Sequence, residues 1–448
     1  MSASAADRWR SSQDRAAARL ADTEDAFRRW LHLQDTRQVV VALAAVAANL
    51  LHGDPLWLLL VGAPGSGKTE TIMPLATMPC VHLAATLTEA SLLSGVSKKE
   101  HEQGATGGLL RQLGDFGIIL GKDFSGVLAM NRDTRAQTLA ALREVYDGRW
   151  DRPVGTGGGR VLSWAGKCGF VGAVTPSIDR HHAVMAALGE RFLLYRVEVT
   201  DTRAQAHRRL TNRGYETQMR AELTEAVHNV LDQVDIGIPL RALEVDEADT
   251  LVDLADFAVK ARSAVERDGY DREIVVMPEP EAPARLVGAL SSILAGLEAI
   301  GANSPTCWEI LDKVAWDCIP AMRRRILQHL HEHAGTPEST STVVAATGIP
   351  KRTALYALED LTLLHLVDGT KSSERDNAAW QWALSEHATT IWPRRVHEMS
   401  GTSEALTSHL HVFDDFSCTP TRGDDHDRGL RIAQARAAEV RRRREEAS

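Results

Sequence analysis

The feature of this 448-residue chain that most restricts its fold is Gly62-Ala63-Pro64-Gly65-Ser66-Gly67-Lys68-Thr69, which satisfies GxxxxGK[ST] in full. An apolar stretch, residues 56–61, precedes it, and a helical pattern begins behind it at Glu70. Strand, glycine-rich loop and helix in that order have a physical purpose. Glycines let successive backbone N–H groups curl around phosphates, and the helix N-terminus adds positive potential. Lys68 is expected to reach the terminal phosphates and Thr69 to offer its hydroxyl to Mg2+. The run Gly62 to Glu70 is therefore expected to hold a nucleoside triphosphate, ATP foremost. The alternative, a glycine-rich turn with a solvent-facing lysine, does not account for the complete pattern in this setting.

Such a loop needs a parallel sheet behind it, and the sequence supplies the pattern. Between residues 56 and 200, short apolar runs at 57–61, 118–120, 168–174 and 192–199 alternate with helical stretches, as an α/β core requires. With 44% hydrophobic and 25% charged residues the chain is long enough for two or three core-forming domains. No apolar run reaches the 18 or more residues of a membrane span, the longest being 39–51. Residues 1–10 lack a hydrophobic signal core, so the expected location is cytoplasmic. Cys80, Cys168, Cys307, Cys318 and Cys418 are scattered without a CxxC pair, which suits reduced thiols. A net charge of −9 means that any nucleic-acid contact falls to local basic patches.

A magnesium-dependent ATPase also needs an acid at the end of a neighbouring strand, to hold the metal and orient the attacking water. Asp123 is the candidate, directly after the apolar run that ends Leu120-Gly121-Lys122. The usual ending is a pair of acids, whereas here a lysine stands before Asp123, so hydrolysis is a weaker expectation than binding. The alternative is a loop aspartate capping the next segment.

Taken in order, these features resemble AAA+ ATPases, in particular the branch of minichromosome-maintenance helicases and sigma-54 activators. The match extends over residues 56–300. It includes Gly107-Gly108-Leu109-Leu110 ahead of the Asp123 strand, a helix at 135–146, and a β-hairpin at 149–164 around Gly155, Gly157, Gly158 and Gly159. The resemblance implies that Thr175, closing the strand 169–174, is the polar sensor of the γ-phosphate. By spacing alone it is equally a turn residue before Pro176. Gly189-Glu190-Arg191-Phe192 is similar to the element whose arginine reaches the neighbouring subunit's ATP, which makes Arg191 the implied finger; the alternative is a salt-bridged surface arginine. Arg285, in Pro283-Ala284-Arg285-Leu286, resembles the second sensor. The implied assembly is a homo-oligomeric ring, a hexamer, with Arg149, Arg152 and Arg160 of the hairpin gripping DNA phosphates.

Residues 340–350 and 351–361 read as two short helices joined by a glycine-containing turn, and 364–384 could form a wing. This is similar to winged-helix domains, with Lys351 and Arg352 at the start of the recognition helix and Lys371 and Arg375 in the wing. A packing or protein-contact module is the alternative. His329, His331 and His333 have no accompanying ligand pattern and read as a solvated helix face. The expected organisation is an N-terminal helical region (1–50), an α/β P-loop ATPase core (51–200), a helical lid (201–301), a winged helix-turn-helix domain (302–390) and an Arg-rich tail (391–448). The expected function is a ring-forming, DNA-associated ATPase motor, helicase-like and suited to a mobile element. An ATP-gated transcription regulator, or a remodeller acting on a protein partner, are the alternatives.

Overall fold

The computed structural model describes residues 5–95, 107–154, 160–186, 189–199, 201–237, 240–268, 270, 272–276, 279–373 and 378–392. They fall into two compact units, one within Met1–Glu244 and Arg285–Asp317, the other within Val245–Ala284 and Cys318–Ser448. The Arg-rich tail, the hairpin glycines at 155–159, Pro278 and Arg375 lie outside the described residues.

Among the described residues the first unit holds seven strands: β1 (Trp57–Val61), β2 (Val81–Ala84), β3 (Phe116–Gly121), β4 (Arg149–Val154), β5 (Arg160–Ala165), β6 (Lys167–Val174) and β7 (Phe192–Arg196). Five of them make one parallel sheet in the order β2-β3-β6-β1-β7. The inner strands are near-continuous apolar runs because both faces of such a sheet are covered, and every residue of β1 is buried. Trp57, Phe124, Phe170 and Phe192 interlock beneath it, with ring centroids 4.9 Å apart for Trp57 and Phe192 and 5.9 Å for Phe124 and Phe170. β4 and β5 form the expected antiparallel hairpin, Trp150 opposite Trp164.

The helix Arg37–Leu50 is buried along almost its whole length, as its valine and alanine run requires, so this part of the N-terminal helical region is a core helix. Asn49 couples it to the sheet. Its side chain donates to the carbonyls of Ala45 (2.8 Å) and Leu56 (2.9 Å) and accepts from the Leu56 N–H (2.9 Å), fixing the chain just before β1. The region expected as a helical lid opens with two helices, Thr202–Thr211 and Glu216–Leu231, parted at Gly214, whose φ of 88° no helix accommodates.

The second unit holds the helices Val245–Arg262, Ala321–Glu332, Thr340–Thr347 and Lys351–Leu363. With them is an antiparallel sheet ordered β8 (Glu338–Ser339), β10 (Trp380–Leu384), β9 (Val367–Lys371). Ser339 caps Thr340–Thr347 through the Thr342 N–H at 3.1 Å, Gly348 ends it at φ 65°, and Pro350 precedes the next helix. The helix Ala321–Glu332 packs on both. Fully buried Trp382 of β10 donates to Thr340 Oγ1 at 2.8 Å, tying wing to helix. The molecule is thus an α/β P-loop fold with a helical region and a C-terminal winged helix-turn-helix.

Candidate functional site

The phosphate loop leaves β1 at the C-terminal edge of the sheet, where Gly62 N–H bonds Val174 O at 3.1 Å. Gly65 and Gly67 take φ values of 83° and 86°, the left-handed region that favours glycine. A Cβ on Gly62 would stand 2.8 Å from Ser66 Oγ, so glycine is also needed there for close packing. Lys68 opens the helix Lys68–Ile72 and is buried. Its ammonium donates to Gly62 O (2.6 Å), Ala63 O (2.8 Å) and Ser66 Oγ (3.2 Å). Burial lowers its proton affinity, and the charge of Asp123 works in the opposite direction. Thr69 is exposed at the loop's mouth.

β3 and β6 end on the same edge. Gly121 pairs with Gly172 and Val61 with Val174, so Lys122, Asp123 and Thr175 emerge on the side of the loop. The strand bearing Asp123 is not the neighbour of β1, contrary to the sequence reading. β6 lies between, and this puts Thr175 between acid and loop. Asp123 is exposed and accepts from the Ser125 N–H at 2.9 Å. Ser125 Oγ in turn accepts from the Thr175 N–H (3.0 Å) and lies 3.0 Å from Thr175 Oγ1, which is 2.7 Å from Ser177 Oγ. Acid and hydroxyl are therefore linked by a short polar chain that spacing in the sequence did not show.

Arg191 and Arg285 are brought together elsewhere. β7 runs parallel to β1, with Phe192 beside Trp57, so Arg191 stands at the sheet edge opposite the loop. Its Nη2 lies 2.9 Å from both oxygens of Asp147 and its guanidinium 5.2 Å from the Tyr146 ring. Arg285 Nη1 donates to Gly189 O at 2.6 Å. A Cβ on Gly189 would lie 2.7 Å from Arg191 Nη1 and 3.2 Å from Arg285 Nη1, so the two cations share one corner.

A cavity of about 570 Å³ opens from the loop. Trp30, Leu31 and Met219 give it an apolar wall; Gln205, Arg208 and Arg209 line the other side. Glu70 is ion-paired with Arg220 at 3.2 Å and lies 4.0 Å from Arg209. Gln38 donates to Thr71 Oγ1 at 3.1 Å behind the loop. Sequence reading missed these walls, because nothing local in 30–38 or 205–220 signals that they fold over residue 67.

Arg149 is exposed and paired with Asp151 at 2.9 Å, whereas Arg152 is half-buried, bonded to Glu89 at 2.7 Å and to the Leu93 carbonyl. Arg160 begins β5, but its side chain lies outside the described residues. In the second unit Lys351 and Arg352 are exposed at the start of the helix Lys351–Leu363, with Arg352 Nε donating to Tyr356 Oη at 3.0 Å. Arg267 and Arg272 approach the same ring, 4.7 and 5.8 Å from its centroid. Lys371 lies 5.7 Å from the Trp380 ring on the wing.

Fold and loop together define a P-loop protein with a winged helix. Among solved structures, the chain is similar to the Orc1 protein of Aeropyrum pernix in complex with DNA, at 14% identity over 84% of this chain and 96% of that one, with a TM-score of 0.25. So low a score leaves the fold to stand on its own sheet order and loop. No family model matches the sequence, and no curated protein matches it. Among the described residues no helix is long and apolar enough to cross a membrane.

Proposed function

We propose that this chain is an AAA+-type ATPase that binds ATP at the Gly62–Thr69 loop and works on DNA as a homo-oligomeric ring, with minichromosome-maintenance helicases and sigma-54 activators as its analogues. The observation that carries the reading is the division of the functional groups between two sheet edges. Lys68, Asp123 and Thr175 share one; Arg191 and Arg285 share the other. Arginines placed so far from their own loop can meet a triphosphate only on a neighbouring subunit, where a guanidinium stabilises charge on the transferring phosphoryl group.

In this reading the Lys68 ammonium leaves the carbonyls of Gly62 and Ala63 for the terminal phosphates, and the apolar wall of Trp30, Leu31 and Met219 receives the base. Thr69 and Asp123 are the residues that fit a magnesium ion, which supplies charge neutralisation at the phosphates. Thr175, held by Ser125 and Ser177, orients the attacking water. Lys351, Arg352 and Lys371 contact DNA phosphates or base edges, the Tyr356 hydroxyl accepting from Arg352 Nε at 3.0 Å.

A second reading, an ATP-gated DNA-binding regulator, is favoured by Lys122 standing where an acid is usual and by Arg191 being paired at home with Asp147. A remodeller stimulated by a protein partner is the third. Steady-state ATP hydrolysis in Mg2+, with and without single-stranded and duplex DNA, tests the proposal. A motor turns over faster with DNA; slow turnover unaffected by DNA, with tight sequence-specific duplex binding, would replace it by the regulator. Stimulation by a protein alone would favour the remodeller.

A further inference from the structure

The three histidines of the segment 329–333 do not share one fate. His331 stacks flat on Trp392, ring centroids 3.9 Å apart and planes within 2°. His329 and His333, one helical turn apart, face each other with centroids at 4.5 Å. His329 is not on a solvated face: it is 8% exposed, and its Nε2 is buried without a hydrogen-bond partner among the described residues. A buried, unsatisfied imidazole nitrogen costs free energy unless something fills it.

The chain then turns back on itself. Thr336 N–H bonds His333 O at 3.1 Å, Gly335 takes a φ of 89°, and Glu338 is fixed in β8 opposite Trp382. This brings a carboxylate to the two rings. One donor atom each from His329, His333 and Glu338 lies within 4.8 Å of the others. His333 Nδ1 is 2.9 Å from the His329 carbonyl, its own helix's backbone. Donation there leaves the Nε2 lone pair for a ligand, the arrangement in which a backbone carbonyl fixes the tautomer of a metal-binding histidine.

We infer that His329, His333 and Glu338 form a binding site for a divalent transition-metal ion of the zinc class, which clips the first strand of the wing to the helix Ala321–Glu332. Two imidazoles and a carboxylate are a zinc-type donor set, with a fourth position for water. The sites for ATP and its magnesium lie in the other unit, so this inference stands apart from the proposed function.

The test uses the full chain, stripped with chelator and titrated with ZnCl2 by calorimetry, then with CoCl2 by visible spectroscopy. One high-affinity Zn2+ per chain is expected, with Co2+ absorption of a low-coordinate N/O site and a raised thermal midpoint on metal addition. His333→Ala and Glu338→Gln alter exposed or half-buried positions. Each should weaken binding by at least about 10-fold, the scale already seen for outer-sphere partners, and remove the metal-dependent rise in midpoint. His331→Ala should leave binding unchanged. Absence of stoichiometric Zn2+ binding by the folded chain, or binding retained in both His333→Ala and Glu338→Gln, overturns the inference.

Discussion

Lys68 carries a positive charge into a place where its protons are already taken by Gly62 O, Ala63 O and Ser66 Oγ. Burial works against that charge, and the three hydrogen bonds offset it. Lys68→Ala is expected to weaken ATP binding by about 2–5 kcal/mol, roughly 30-fold or more, while the thermal midpoint stays within a few degrees. Calorimetry showing wild-type affinity in this variant would remove the lysine from the site. Glu359 presents the converse case. Burial, with a smaller push from Asp360, holds its carboxyl raised to about 7 against the pull of the Arg267 guanidinium at 3.0 Å. Arg267 gives its shorter bond, 2.7 Å, to Asp360, so Glu359 is the carboxylate left to take a proton. Between 4.5 and about 7 the folded chain then binds more protons than the unfolded one, so stability falls as pH rises through that window and the loss is complete above it. Thermal unfolding at pH 5 and pH 8 should show a smaller decline in Glu359→Gln than in the wild type. Parallel declines would mean that Glu359 does not titrate.

At the scale of elements, packing distance decides the sign of a substitution that propensity alone would call favourable. Gly288 and Gly296 both lie in the helix Ala284–Ala299. A Cβ at Gly288 meets nothing within 4 Å, whereas one at Gly296 would lie 2.1 Å from Ala44 O on the helix Arg37–Leu50. Gly288→Ala should stabilise the chain by about 0.5–1 kcal/mol, and Gly296→Ala should destabilise it by about 1–3 kcal/mol. Urea unfolding of the two variants checks the pair, and equal signs would contradict the close crossing. The same contrast explains what could be read from the sequence. β1, β6 and β7 were legible because strands buried on both faces are apolar runs, and the phosphate loop because its eight residues are contiguous. β2 was not, being a four-residue edge strand with His82 and Leu83 partly open, nor was β8, which has two residues. The order of strands, and hence β6 between β1 and the Asp123 strand, is not written in any local pattern. Nor are the pairing of Arg191 with Asp147, the apolar wall from Trp30 to Met219, or the approach of Glu338 to His329, each a meeting of residues that only the tertiary fold produces.

For the whole molecule, the decisive question is whether one chain contains a complete ATPase site. Lys68 and Arg191 emerge from opposite ends of parallel strands in the same sheet, and Arg285 shares the corner of Arg191. In a head-to-tail assembly each site takes its lysine from one subunit and its arginine from the next, and a closed ring leaves no site incomplete. Arg191 is buried and paired with Asp147, so contact with a neighbour's phosphates must compete with that ion pair; phosphate is the stronger partner for a guanidinium because of its greater charge. Lys68→Ala and Arg191→Ala should then each be inactive in ATP turnover, the second while still binding ATP. Mixed in equal amounts under conditions that allow subunit exchange, the two should regain activity, because a junction that draws Lys68 from one variant and Arg191 from the other is intact. Random assembly makes about a quarter of junctions of that kind, so the mixture should recover roughly a quarter of the wild-type rate. Two inactive proteins that stay inactive after verified exchange would show that Arg191 does not complete a neighbour's site, and the two edges of the sheet would no longer call for a ring.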